Sequence, residues 1–205
     1  MVSIISALIT IIFFERIQKQ YRHENAEAAR KRRLQIFVGS EVNVVAVGAL
    51  EELKAEGWLE GVLQDEMTLL HGANWQNAYL PCVQLPGKEM IGMNLAQAHL
   101  RKANLTQVYL RNANLAQSRL YETNLQGANL IGANFRDAEL VSANLQYADL
   151  SETNMMGANL YNVNLEGAVL THANLAAANL SEANLKGAKL ISTNLRGVVF
   201  SEHHL

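Results

Sequence analysis

From Leu95 onward the chain can be written in fives, and every fifth residue through Leu205 is leucine except Phe135, Met155 and Phe200. An α-helix returns a residue to the same face every 3.6 positions and a strand every 2, so neither keeps such a series on one buried side. The chain must turn every five residues. Turns of this kind stack into a solenoid, in which each coil buries the apolar side chains of its neighbours.

The remaining positions say how each turn is built. Two residues before the leucine stands a small or β-branched residue, as at Ala103, Ala113, Ala128, Ala133, Ala143, Ala158, Ala173 and Ala183, or Thr123, Val163 and Thr193. A large and a small side chain pointing inward give a narrow interior, and asparagine usually sits between them. The other two positions carry nearly all the charge, as at Arg101 and Lys102 or Arg136 and Asp137, and must face water. Glycine recurs two places after the leucine, at Gly127, Gly132, Gly157, Gly167, Gly187 and Gly197, which suits a corner with positive φ.

Ala-Asn-Leu-x-x in tandem, as in AQAHLRKANLTQVYLRNANL and LQGANLIGANFRDAEL, resembles the pentapeptide-repeat proteins. The resemblance is strong over residues 91–205, and weaker repeats run back through Met90, Leu85, Leu80, Trp75 and Leu70. It implies an all-β solenoid over residues 67–205, a right-handed quadrilateral β-helix with four repeats per coil. About seven coils at ~4.8 Å each would make a rod ~30 Å long. Lys88, beside Pro86 and Gly87, departs from the pattern. A lysine cannot lie buried and unpaired in so thin a core, so a bulge or loop is expected there.

Upstream, residues 1–14 carry no charge, and residues 15–39 are rich in Arg and Lys. A cleaved signal peptide has its basic residues before the apolar run, so the pattern reads as an uncleaved membrane-anchor helix, extending to about residue 20 at most. Its basic flank places the repeat domain on the cytoplasmic side of an inner membrane, cytoplasmic or photosynthetic. The photosynthetic option comes from the resemblance alone, since the family is numerous in photosynthetic bacteria. A helix of fourteen residues reaches only ~21 Å, short of the ~30 Å hydrocarbon core. A thin bilayer, snorkelling of Arg16 and Lys19, a missing upstream start, or packing against another membrane protein would meet the deficit. The competing reading is an apolar helix buried against a partner or in an oligomer. Residues 15–39 are expected to form a basic linker helix and residues 40–66 to hold a capping helix. In the latter Ser40 is the candidate N-cap, Val42, Val45, Ala49 and Leu53 share one face, and Gly57 is the stop. The open first coil is its expected seat.

No chemistry of an enzyme is legible. The single cysteine, Cys82, has neither a disulfide partner nor neighbouring zinc ligands. His99 and His172 fall on different sides of the coil, and His203 and His204 point apart in an extended segment. Glu122, Asp137, Glu139, Asp149, Glu152, Glu166 and Glu182 are scattered rather than paired as acid and base. No cofactor and no metal are expected. What remains is interaction. Residues twenty apart stack, so Tyr121, Val141 and Tyr161 form a column edged by Arg101 and Ser181, either an exposed partner surface or a stack that helps coils pair. An uncapped last coil would expose Phe200 and Leu205 for an end-to-end homodimer.

The expected function is a non-catalytic, membrane-tethered scaffold that binds or assembles other membrane-associated proteins, such as an integral membrane complex. The alternative implied by the resemblance is a DNA-mimic inhibitor of a DNA-handling enzyme such as a type II topoisomerase. With 17 Lys and Arg against 19 Asp and Glu, bulk charge favours neither that mimicry nor nucleic acid as a partner.

Overall fold

A computed structural model describes residues 43–57, 59 and 70–201. The expectations for residues 1–14, for the linker 15–39, and for Ser40, His203, His204 and Leu205 lie outside the described residues. Among the described residues no helix is long and apolar enough to cross a membrane.

Helix α1 spans Asn43–Ala55, within the segment 40–66 expected to hold a capping helix. It ends at Gly57, whose φ of 71° is left-handed and whose N–H donates to the Lys54 carbonyl at 3.1 Å. That bond satisfies a carbonyl the last helical turn would otherwise leave open, and glycine takes the φ without a Cβ penalty. Ala49, Leu50 and Leu53 are buried and join one hydrophobic cluster with Leu70, Ala73, Trp75 and Leu80 of the first coil.

Beyond Leu70 the backbone repeats without interruption. Leu95 N–H donates to the Asn114 carbonyl at 2.7 Å, and Asn114 N–H donates back to the Met93 carbonyl at 2.9 Å. Parallel bridges therefore join residues twenty apart, in four ladders that define four faces. Face 1 runs Asn74, Asn94, Asn114, Asn134, Asn154, Asn174, Asn194; face 2 runs Tyr79, His99, Arg119, Glu139, Asn159, Asn179, Val199. Face 3 runs from Gln84 through Asn104 to Asn184, and face 4 from Glu89 through Tyr109 to Lys189. The expectation of an all-β solenoid needs one correction: among the described residues each side contributes a single bridged residue, not a strand. Of five residues per side two make the corner and two point inward, which leaves one to pair in the ladder.

The corner is a β-turn closed by bonds such as Ala103 N–H to the Leu100 carbonyl at 3.0 Å. Its third residue has positive φ, as a type II turn requires. This holds at the second position after every leucine-site residue from Gly72 to Gly197, and so includes Tyr147 at 58° and Ala177 at 57° as well as the glycines. The corner rule read from glycine thus extends to side chains that resist it. Hydrogen bonds to both neighbouring coils hold the backbone there, as where Tyr147 N–H donates to the Glu166 carbonyl at 2.9 Å.

The leucine and small-residue positions form the core. Where a hydroxyl takes the small position it is satisfied by backbone: Thr123 Oγ1 donates to the Leu100 carbonyl at 2.8 Å, and Ser118 Oγ to the Leu115 carbonyl at 2.6 Å. No bulge forms at Lys88, contrary to expectation. Gly87 N–H and Met90 N–H keep the regular bonds to Thr106 and Tyr109, each at 2.8 Å, and Lys88 is half-buried. A lysine stem lies along apolar surface while its ammonium reaches the rim, so the register survives the substitution.

The two ends of the coil stack differ. Leu70, Trp75, Leu80 and Leu85 of the first coil are buried, whereas Leu195 and Phe200 of the last described coil are exposed.

Candidate interaction face

On face 1 asparagine does structural work. The side-chain amide of Asn94 donates to Asn74 Oδ1 at 3.0 Å, Asn114 to Asn94 at 3.2 Å, and the series continues to Asn194 on Asn174 at 2.8 Å. The same oxygens accept backbone N–H groups two residues on, as Asn94 Oδ1 does from Ala96 at 3.2 Å. Face 3 carries a similar asparagine series, with Asn144 donating to Asn124 at 3.3 Å. Face 2 gives this up over its first four rungs, where Tyr79, His99, Arg119 and Glu139 replace asparagine. Residues that forgo a local structural role are where function is expected.

These side chains, with the neighbouring corner column, shape a groove of about 370 Å³ lined by Tyr79, Pro81, His99, Arg101, Arg119, Tyr121 and Glu122. At its lower end the Tyr79 ring meets the His99 ring edge-on, 5.5 Å between centroids. Lys54 of α1 lies over that tyrosine, its Nζ 4.2 Å from the ring centroid and donating to the Tyr79 carbonyl at 3.4 Å. Glu122 is shared by two cations, Arg101 Nη2 and Lys102 Nζ, each at 3.3 Å. Among the described residues no ion pair uses Arg119.

Three groups of the groove are shifted from their ordinary values. Burial, and then the Arg119 guanidinium, hold the His99 imidazole below its ordinary pKa. A hydrogen bond from Lys102, aided by Arg101, lowers the Glu122 carboxyl. Burial raises the Tyr121 phenol, and the charge of Glu139 and a hydrogen bond to it add to the effect. Asn159 fixes Glu139 from the next rung, its Nδ2 donating to Oε2 at 3.1 Å.

The column Tyr121, Val141, Tyr161 does stack: Glu122 N–H donates to the Val141 carbonyl and Ser142 N–H to the Tyr161 carbonyl, each at 3.0 Å. Only Tyr161 is exposed, at 44%, while Tyr121 and Val141 are half-buried, so the column is not an open aromatic row. Tyr121 serves instead as one wall of the groove. Tyr79, His99 and Arg119 were not among the sequence candidates; their departure from asparagine is a partial signal, since face 4 departs from it too, as at Glu89, Tyr109, Asp149, Val169 and Lys189. His99 lies on face 2 and His172 beside face 4, across the coil from each other.

Charge is segregated along the rod. Between residues 88 and 119 stand Lys88, Arg101, Lys102, Arg111 and Arg119 against Glu89 alone. Between 120 and 182 stand Glu122, Asp137, Glu139, Asp149, Glu152, Glu166 and Glu182 against Arg136 alone, and Lys186, Lys189 and Arg196 follow. The near-neutral total hides three bands. Among the described residues no group of three or more His, Cys, Asp or Glu could hold a metal ion.

A four-sided stack of five-residue turns, with an outward groove as its developed feature, defines a β-helical repeat solenoid. The family model for pentapeptide repeats matches in eight copies over residues 90–127, 118–157 and 158–197, and the chain belongs to that family. No curated protein matches it. Among solved structures it is similar to HetL of Nostoc sp. strain PCC 7120, a pentapeptide repeat protein involved in heterocyst differentiation regulation. The identity is 26% over 63% of this chain and 75% of that one, with a TM-score of 0.34. Rfr23 of Cyanothece 51142 is 28% identical over 63% and 85% of the two chains, with a TM-score of 0.38. QnrB1, a plasmid-mediated fluoroquinolone resistance protein, is 17% identical over 64% and 80%, with a TM-score of 0.33.

Proposed function

We propose that this protein is a non-catalytic, membrane-tethered scaffold that binds a protein partner through face 2. The observation that carries the reading is the groove on that face, where asparagine is replaced by Tyr79, His99 and Arg119 at the expense of the ladder seen on face 1. The tether is supported by sequence, through the uncharged run 1–14 and its basic flank. Tyr161, beyond the groove on the same side, extends the surface for a partner. End-to-end pairing of two copies through the last coil is a further part of the proposal. It rests on the exposed Phe200, with Leu205 as its expected companion. Sedimentation in gentle detergent tests this, and Phe200→Asp should shift a dimer to monomer; a monomeric parent at micromolar concentration defeats the pairing.

The acidic band at 120–182 favours a second reading, mimicry of duplex DNA toward a DNA-handling enzyme. Three coils at ~4.8 Å span ~15 Å, roughly four base pairs, and duplex DNA carries about one charge per 1.7 Å. The band approaches that density, but cations bracket it on both sides, which makes the mimic short.

Fractionation of cells expressing the full chain, with a variant lacking residues 1–14 in parallel, tests the first reading. Membrane recovery with a stoichiometric protein, both lost in the variant, is the expected result. A soluble full-length protein that copurifies with a topoisomerase would establish the second reading instead.

A further inference from the structure

We infer that the face 2 groove is a recognition site for a short acidic segment of a partner protein, with Arg119 and Arg101 taking its carboxylates. The inference rests on the reading of face 2 as the interaction surface and specifies what that surface binds.

Three features of the groove select this ligand. The first is its charge. Arg101 and Lys102 share one carboxylate, Glu122, and Arg119 stands in no ion pair among the described residues, so the groove holds more positive charge than it neutralises. Lys54 adds another cation at the lower end. A guanidinium offers paired donors to a carboxylate, and such charge-assisted bonds are short and directional.

The second feature is the walls. Tyr79, Pro81 and Tyr121 flank the cations with flat apolar surface. Tyr79 is packed between His99 and Lys54. Such walls suit the aliphatic stems of glutamate side chains and a peptide backbone, and they are ordered before the ligand arrives.

The third feature is extent. The cations of this face occupy adjacent rungs at 101–102 and 119, about one coil rise of ~4.8 Å apart. The next rung up presents Glu139, Val141 and Ser142, with no cation. One or two carboxylates fit such a footprint. A nucleic-acid strand needs cations that continue along its phosphates, and here its next phosphate would meet Glu139. The partner is therefore an acidic peptide segment.

The test uses the full chain in gentle detergent and a fluorescent hexaglutamate peptide, followed by anisotropy. A hexaglutamine peptide and a hexathymidine oligonucleotide serve as comparisons. Hexaglutamate should bind, displace the His99 ring resonances, and weaken with added salt. Arg101→Gln with Arg119→Gln should weaken it by about tenfold or more. Lys189→Gln with Arg196→Gln, in the C-terminal basic band, should leave it unchanged. All four side chains lie on the surface, and unchanged thermal melting confirms that each variant is folded. The inference fails if hexaglutamate does not bind at millimolar concentration, if the groove variant binds as the parent does, or if hexathymidine binds more tightly. Recovery of the same membrane partner by parent and groove variant alike would remove the groove assignment while leaving the tethered scaffold standing.

Discussion

Asn134 donates its side-chain amide to Asn114 Oδ1 at 3.1 Å, while its own oxygen accepts from the Arg136 N–H at 3.2 Å and from Asn154 at 3.3 Å. One amide thus serves as donor along the rod and acceptor within its own corner, a combination only asparagine offers at this length.

Replacing it separates the two roles. Asn134→Asp keeps the acceptors and loses the donor, and is expected to cost about 1 kcal/mol. Asn134→Ala loses all three bonds and should cost roughly 2 to 3 kcal/mol. Denaturant melts of the two variants check this: an unchanged Asn134→Asp would mean that the bond donated to Asn114 contributes nothing, and equal losses in both variants that the two accepted bonds contribute nothing.

Leu145 is fully buried at mid-rod. Leu145→Asp places a carboxylate in a core with no partner for it, and the several kcal/mol this costs should expose both adjoining coils to protease. A variant with the parent's digestion pattern would refute the register.

The corners make opposite predictions at two sites. Ala177 holds a φ of 57° against its preference, and Ala177→Gly should raise stability by about 0.5 to 1 kcal/mol once the greater freedom of unfolded glycine is subtracted. At Gly167 a Cβ would lie 2.6 Å from Tyr147 Cδ1. Gly167→Ala adds both the strained φ and a displaced ring, for a loss of roughly 1 to 2 kcal/mol. Thermal unfolding of the pair is decisive if both shift in the same direction.

His99 titrates below its ordinary value of 6.5 because burial and Arg119 disfavour its cation. The folded state then binds fewer protons than the unfolded state between the lowered value and 6.5. Stability is therefore full above 6.5 and falls as pH drops through that window. Arg119→Gln should move the midpoint upward toward 6.5, read from the ring resonances of His99. An unmoved midpoint would leave burial as the sole cause.

The solenoid was legible because its signal repeats: one leucine in five is weak, and the same spacing over more than twenty turns admits no other element. The corners were read from glycine, with asparagine as a residue that tolerates them, and residues such as Tyr147 were not recognised as left-handed because the constraint comes from the coils on either side. Lys88 misled for the opposite reason, since local chemistry argued for a break that the neighbouring rungs do not allow. The groove was only half visible. The stack of Tyr121, Val141 and Tyr161 follows from the period of twenty, but the ring of Tyr79 against His99, and Lys54 over that tyrosine, depend on how α1 sits on the first coil.

Four sides per coil also govern how such a chain can change length. An insertion of five residues keeps every leucine inward yet turns everything after it by a quarter of a revolution, so that Tyr161 would move from beside Tyr121 to an adjacent corner. An insertion of twenty restores the alignment and merely lengthens the rod. Face 2 can therefore persist through duplication or loss of whole coils, whereas a single repeat gained or lost between Tyr79 and Tyr161 would break up the surface without unfolding the protein.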